Sequence, residues 1–381
     1  MKLGVLKEQS PGETRVALVP AHLAPLLKQG YQVLVEEGAG SASGFTDQDY
    51  VDKGATVASL SEILKEATIL LTVRSGAASE QGKALAEQLK AHHVLIGMLE
   101  PYQKDESFDH LLKNKVTSFS LELIPRTTRA QSMDVLSSMA NLAGYSAVLA
   151  GAQASPKILP MLMTAAGTIP PANVFILGVG VAGLQAIATA RRLGAVVSAY
   201  DVRSEVKEQV ESLGAKFVVF DLESATGEGG YAKQMDEAYY EKQRQLMKEE
   251  LSTKDIVITT ANIPGKKAPV LITEEMVKGM AHGSVIVDLA AERGGNCELT
   301  ESGKTVVKHG VTIIGPENLA AALYGNTSTL YSKNITTFLN NLLSKEDKTI
   351  QWDDDIVTAT VVTKEGQIPN ERTRSWIGGT A

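Results

Sequence analysis

Asn173-Val174-Phe175-Ile176-Leu177-Gly178-Val179-Gly180-Val181-Ala182-Gly183 is the stretch that decides the fold. Five residues of strand type run straight into G-x-G-x-x-G, and an apolar helical pattern, Leu184 to Leu193, runs out of it. The glycine pattern alone is weak evidence. Between a strand and a helix it reads as a dinucleotide fingerprint. Gly178 permits the tight turn, Gly180 lets backbone approach a pyrophosphate, and Gly183 lets helix pack closely on strand. The phosphates would rest at the helix N-terminus, where free N–H groups and the helix dipole favour negative charge. Val179 and Val181 count with the glycines as cofactor-binding candidates.

Asp201 closes the next predicted strand, 18 residues after Gly183. A carboxylate there accepts from the adenosine ribose hydroxyls and repels a 2′-phosphate, which favours NAD(H) over NADP(H). Val202 and Arg203 adjoin it. Arg203 complicates the reading, because an arginine can hold a 2′-phosphate.

Working outward, the strand candidates on this side are Val174 to Leu177, Val196 to Tyr200, Phe217 to Phe220, Ile256 to Thr259, Val285 to Asp288 and Thr312 to Ile314. Six strands with helical crossovers match the doubly wound dinucleotide fold. Ala261 and Asn262, just after the fourth strand, are further cofactor-binding candidates. A polar insert, Ser224 to Glu250, opens with Gly227, Gly229 and Gly230 and continues as a charged helix carrying Gln243. Its glycines point to a mobile loop, and Gly230, Tyr231 and Gln243 join the candidates.

Upstream, Leu3 to Leu6, Tyr31 to Val35, Ile69 to Val73, Val94 to Met98 and Val116 to Leu121 read as strands, and Pro20 to Gln29 as a helix ending at Gly30. No glycine-rich phosphate loop follows any of them. The expected architecture is therefore α/β: two doubly wound parallel-sheet (Rossmann-like) domains joined by long helices. Residues 128–317 form the nucleotide domain, and 1–127 with 318–381 form the other. Thr128 to Ala154 reads as one long helix crossing between them. Gly167, Pro170 and Pro171 then interrupt the pattern, and a hairpin is expected around Glu365-Gly366.

The formal charge of −7 argues against nucleic acid, and against charge-driven docking on anionic lipid. One cysteine, Cys297, rules out an intrachain disulfide framework and reads as a small core residue. No secretory signal opens the chain. No stretch is read as the ~18 uncharged apolar residues of a membrane span, the nearest, Ala147 to Met163, being interrupted by Gln153 and Lys157. The chain is thus expected to be soluble and cytoplasmic. No His/Cys/Asp cluster has metal-ligand spacing.

Several segments carry a resemblance. P-G-E-T-R-V-A-L-V-P (Pro11 to Pro20) and V-I-V-D-L-A-A-E-R-G-G (Val285 to Gly295) are similar to segments shared by alanine dehydrogenases and transhydrogenase NAD(H) subunits. P-R-T-T-R-A-Q-S-M-D-V-L-S-S (Pro125 to Ser138) resembles the transhydrogenase branch alone. That resemblance implies that Arg126, Gln131, Asp134 and Ser137 lie at the nicotinamide end as the catalytic set. It also implies that Gly229 to Met235 is a mobile loop with Tyr231 at its tip as a lid.

Departures from the alanine dehydrogenase pattern matter as much. Arg15 matches that enzyme's arginine, but its lysine position falls on Arg74, its histidine position on Glu100, and its aspartate partner on Glu292. His92 and His93 precede the strand and are expected at the surface. Oxidising an alcohol or amine moves a proton as well as a hydride and needs a placed acid/base. Exchange between two nicotinamides moves none at the reacting carbons, and needs chiefly two rings held in contact.

The resemblance therefore implies the NAD(H)-binding subunit of a Re/Si-specific, proton-translocating transhydrogenase. NADP(H) would sit on a partner subunit and the membrane span on another. The chain is expected to be a homodimer, peripheral on the cytoplasmic face of the inner membrane. The rival readings are a stand-alone amino-acid dehydrogenase of alanine type and a non-catalytic NADH-binding module.

Overall fold

The computed structural model describes residues 1–75, 79–220, 237–262 and 265–378. It divides into two compact units, Met1–Met139 with Ala320–Ala381, and Ala140–Leu319.

Each unit is built on a seven-stranded sheet. In the first the order is Val361–Thr363, Thr117–Ser120, Val94–Gly97, Ile69–Leu71, Lys2–Val5, Gln32–Glu36, Thr56–Ala58, all parallel except the first of these. In the second it is Lys216–Phe217, Val196–Tyr200, Asn173–Leu177, Ile256–Thr259, Val285–Asp288, Val311–Gly315, Lys304–Lys308, parallel except the last. Numbering the parallel strands along the chain, both sheets run 3-2-1-4-5-6, the doubly wound order. In each, strands 1 and 4 flank the point where the winding reverses. Helices cover both faces. Strands such as Ile256–Thr259 and Val285–Asp288 are therefore buried along their whole length and read as unbroken apolar runs.

The differences from expectation have physical reasons. Thr56–Ala58, Lys304–Lys308 and Val361–Thr363 lie at sheet edges, where one side lacks a partner strand and no continuous apolar run is required. Lys304–Lys308 shows this plainly, with Val307 67% exposed. The expected long helix is broken. Thr128–Met133 is a 3₁₀ segment, Asp134 takes extended angles, and the α-helix is Val135–Ala154. Asp134 caps that helix by accepting from Ser137 N (2.9 Å) and Ser137 Oγ (2.6 Å).

The interruption near Gly167 is a small hairpin, Leu162–Thr164 with Gly167–Ile169, exposed along both strands. The turn at Glu365-Gly366 is present, with both residues at positive φ and Lys364 bridging Gln367. His93 is not a surface residue. Its ring is buried, with Nδ1 accepting from Lys90 N and Nε2 2.9 Å from Leu64 O, and burial lowers its pKa.

The expectation that nothing is long enough to span a membrane also needs correction. Val135–Ala154 is 20 residues without a charge and passes by length and composition. Its Ala147 and Val148 belong to the second unit's core. Cys297 is buried, and desolvation pushes its thiol up to about 11.

Candidate nucleotide site

The fingerprint lies at the second unit's reversal point. Gly178 has φ +93°, and a β-carbon there would stand 2.7 Å from Thr260 Oγ1, the hydroxyl that donates to Gly178 O (2.9 Å). A β-carbon on Gly183 would come within 2.0 Å of Gly178 O, so helix and turn touch through bare backbone. At Gly180 the opposite holds, since a β-carbon would meet nothing within 4 Å. The helix Val181–Arg192 begins there without a side-chain cap, leaving its first N–H groups for a ligand. Gly144, which belongs to no sequence motif, backs this helix: a β-carbon there would lie 2.1 Å from Ala182 O.

Asp201 stands at the end of the second strand, as expected, but its carboxylate is engaged. Oδ1 accepts from Arg203 N and Nε, and Oδ2 from Val179 N and Arg203 Nη2. Burial pushes its pKa up, but the bonds from Arg203 and Val179 outweigh this and hold it below the ordinary carboxylate range. Val202 packs against the cluster around Tyr200 and Val218.

Ala261 is fixed by a residue that no motif singles out. Asn296, fully buried, accepts from Ala261 N (3.0 Å) and donates to Ala261 O and Pro269 O (2.8 Å each). Asp288 holds Asn296 in turn, accepting from the N–H of Ala290, Asn296 and Cys297 and from the hydroxyls of Thr259 and Thr300. The only signal in the sequence is that both lie in or beside the Val285–Gly295 segment. Asn262 is exposed. Gly230 and Tyr231 lie outside the described residues, and Gln243 falls in the helix Glu237–Leu251 with its side chain outside them.

In the first unit the loop 126–137 is pinned from beneath. Arg129 donates to Asn341 and pairs with Asp354 (2.6 Å) and Asp355, while Asn334 donates to Ser132 O (2.9 Å). Burial raises the Asp354 carboxyl, but the bonds from Arg129, Asn341, Ile356 and Val357 bring it to about 2. Arg126 and Gln131 stand exposed on this loop, beside the bonded pair Asp134 and Ser137.

The first unit's reversal point is closed. The Glu8 carboxylate takes the N–H groups of Val73 (2.6 Å) and Arg74 (2.8 Å), and loss of water pushes it up to about 7 against those bonds. Arg15, buried, is gripped by both oxygens of Glu13 (2.7 and 2.6 Å). Arg74 pairs with Glu100 at 2.6 Å, so the two positions that depart from the alanine dehydrogenase pattern neutralise each other. Glu292, in the second unit, is exposed and accepts from Asn318 N.

Two doubly wound units, one carrying a glycine turn at its reversal point, define a nicotinamide-nucleotide oxidoreductase class. The family models described as "Alanine dehydrogenase/PNT, N-terminal domain" and "Alanine dehydrogenase/PNT, C-terminal domain" match residues 4–143 and 147–371, and the chain belongs to this family.

Within the family it is similar to the first of the separate chains that make up the NAD(P) transhydrogenase alpha subunit of Rhodospirillum rubrum, 48% identical over 97% of each chain. It is 43% identical to "NAD(P) transhydrogenase subunit alpha" of Cereibacter sphaeroides, covering 97% of this chain and 71% of that one. A solved transhydrogenase from Sinorhizobium meliloti superposes with a TM-score of 0.86 at 45% identity, over 97% of this chain and all of the other. These relatives support a transhydrogenase subunit.

Proposed function

We propose that the chain is the NAD(H)-binding subunit of a proton-translocating, Re/Si-specific transhydrogenase. It passes hydride between its own nucleotide and NADP(H) held on a partner subunit. The observation that carries this is identity of 48%, along 97% of both chains, to a transhydrogenase alpha-subunit chain. The fingerprint supports it, as does the Arg74–Glu100 pair standing where a dehydrogenase of this family would need its acid/base machinery.

In this reading the N–H groups at the start of Val181–Arg192 take the pyrophosphate, Asp201 takes the ribose, and the Ala261-Asn262 loop lines the cofactor crevice. Arg126, Gln131, Asp134 and Ser137 orient the carboxamide and ring by hydrogen bonds. Nicotinamide supplies the hydride when bound. The chain's own groups hold the ring in place and move no proton.

Proton translocation then falls to a membrane-spanning partner, with this chain peripheral on the cytoplasmic face. A homodimer is consistent with the Leu162–Ile169 hairpin. A two-stranded ribbon is marginal alone, and this one leaves Met161, Leu162, Met163 and Ile169 exposed to be covered by a second copy.

The test against the dehydrogenase reading is simple. Alanine and NAD⁺ with no partner should give no sustained NADH formation, and steady turnover would refute the proposal.

A further inference from the structure

The carboxylate that would read the ribose is fully subscribed. An ionised carboxylate offers about four lone-pair positions. On Asp201 they are filled by Val179 N at 2.7 Å, Arg203 N at 2.9 Å, Arg203 Nε at 2.9 Å and Arg203 Nη2 at 3.0 Å. The two backbone donors are set by the Gly178 turn and by the end of the second strand, and cannot leave without refolding them. The guanidinium can. Its side chain is 28% exposed, whereas that of Asp201 is 7% exposed. A ribose arriving at this strand end can donate to Asp201 only where Arg203 withdraws.

We propose that Arg203 is a specificity-determining residue that occupies the ribose subsite on Asp201 in the free chain and is exchanged for the ribose hydroxyls on binding. The same pairing hides a guanidinium that would otherwise accept a 2′-phosphate. The inference rests on reading Asp201 as the ribose acceptor.

Two consequences follow from the geometry. Without the guanidinium, two acceptor positions on an ionised carboxylate open towards the ligand, so NADH no longer has to displace an internal donor. Without the carboxylate charge, Arg203 loses its bidentate partner and becomes a cation beside the 2′ position. The wild-type pair rejects NADPH twice over, by a negative oxygen facing the phosphate and by a cation already spent.

The experiment is a mutant cycle of wild type, Arg203→Ala, Asp201→Asn and the double variant, with Arg203→Lys as a variant that keeps the charge but loses the fork. NADH and NADPH affinities are measured by calorimetry at fixed ionic strength, and thermal melting reports folding. Arg203→Ala should tighten NADH about tenfold, the worth of one displaced charge-assisted bond. In the Asp201→Asn background the same change should leave NADH affinity where it was. Arg203→Lys should fall between wild type and Arg203→Ala. Asp201→Asn should gain NADPH binding, and the double variant should lose that gain.

Arg203→Ala or Arg203→Lys binding NADH no better than wild type would overturn the exchange, as would NADPH binding that survives in the double variant. A wild-type chain that fails to bind NADH overturns the nucleotide reading itself, and the exchange with it. Weaker NADH binding in Asp201→Asn with no effect of Arg203→Ala leaves that reading standing and sinks the exchange alone.

Discussion

Gly144→Ala is a single-carbon test of how the fingerprint helix is held. Gly144 lies in Val135–Ala154, and a β-carbon there would stand 2.1 Å from Ala182 O, 2.9 Å from its carbonyl carbon and 3.1 Å from its α-carbon. All three are backbone atoms and cannot rotate away. One helix must therefore retreat by roughly 1 Å before the contact becomes ordinary. Overpacking of this kind typically costs about 1–3 kcal/mol. For a unit of this size that is a melting-temperature loss of roughly 2–12 °C. Ala182 sits in the first turn of Val181–Arg192, so the N–H groups meant for the pyrophosphate move with it. Loosening one bond to a charged oxygen costs roughly 1.5–3 kcal/mol, or about tenfold or more in NADH affinity.

The assay is thermal melting with and without NADH, beside a direct titration. Gly180→Ala is the control. Its φ is −83°, and its β-carbon meets nothing within 4 Å, so the fold should not notice it while a pyrophosphate would. The prediction is that Gly144→Ala loses stability and binding together, whereas Gly180→Ala loses binding alone. A Gly144→Ala protein that melts and binds like wild type would refute the reasoning.

Three further outcomes are expected. Gln131→Asn should slow hydride transfer by up to about 10²-fold through misplacement near 1 Å, with NADH affinity nearly intact; stopped-flow transfer unchanged at saturating nucleotide would detach Gln131 from the ring. Asn296→Asp removes two donations, to Ala261 O and Pro269 O, and sets a carboxylate beside Asp288. Melting temperature and NADH affinity should both fall at neutral pH and recover in part in acid, where the new carboxyl is protonated and can donate again; a pH-independent defect would argue against the clamp. Glu8, raised by desolvation from 4.5 to about 7, keeps a proton in the folded chain that the unfolded chain has released. Its contribution to stability should therefore fall as pH rises through that window and level off above it. Glu8→Gln should flatten that slope in pH-dependent melting, and a slope of unchanged size would contradict the assignment.

What could be read from the sequence divides along physical lines. Interior strands such as Val285–Asp288 announce themselves because helices on both faces force an unbroken apolar run. The three edge strands carry no such requirement and leave no comparable mark. The glycine turn is legible because its three roles are local, and the structure places Gly178, Gly180 and Gly183 in conformations that differ as those roles demand.

The Asn296 clamp is not legible, because its bonds reach 35 residues back to Ala261 and no periodicity encodes them. Arg203 shows the same limit at short range. Two residues from Asp201, it could equally hold a phosphate or the carboxylate itself, and only coordinates separate these. In the first unit the lack of a glycine loop is plain, whereas closure of its reversal point by Glu8 depends on backbone from another strand.

The central claim is hydride exchange between two nucleotides on two chains, and it is tested most directly by mixing them. The purified chain, loaded with NADH, is combined in a stopped-flow instrument with an NADP(H)-binding transhydrogenase domain carrying an oxidised NADP analogue of distinct absorbance. The account predicts a rapid single-turnover burst of analogue reduction that depends on both chains and needs no added substrate. Tight NADH binding with no transfer to any such partner would contradict it and leave a nucleotide-binding module in its place.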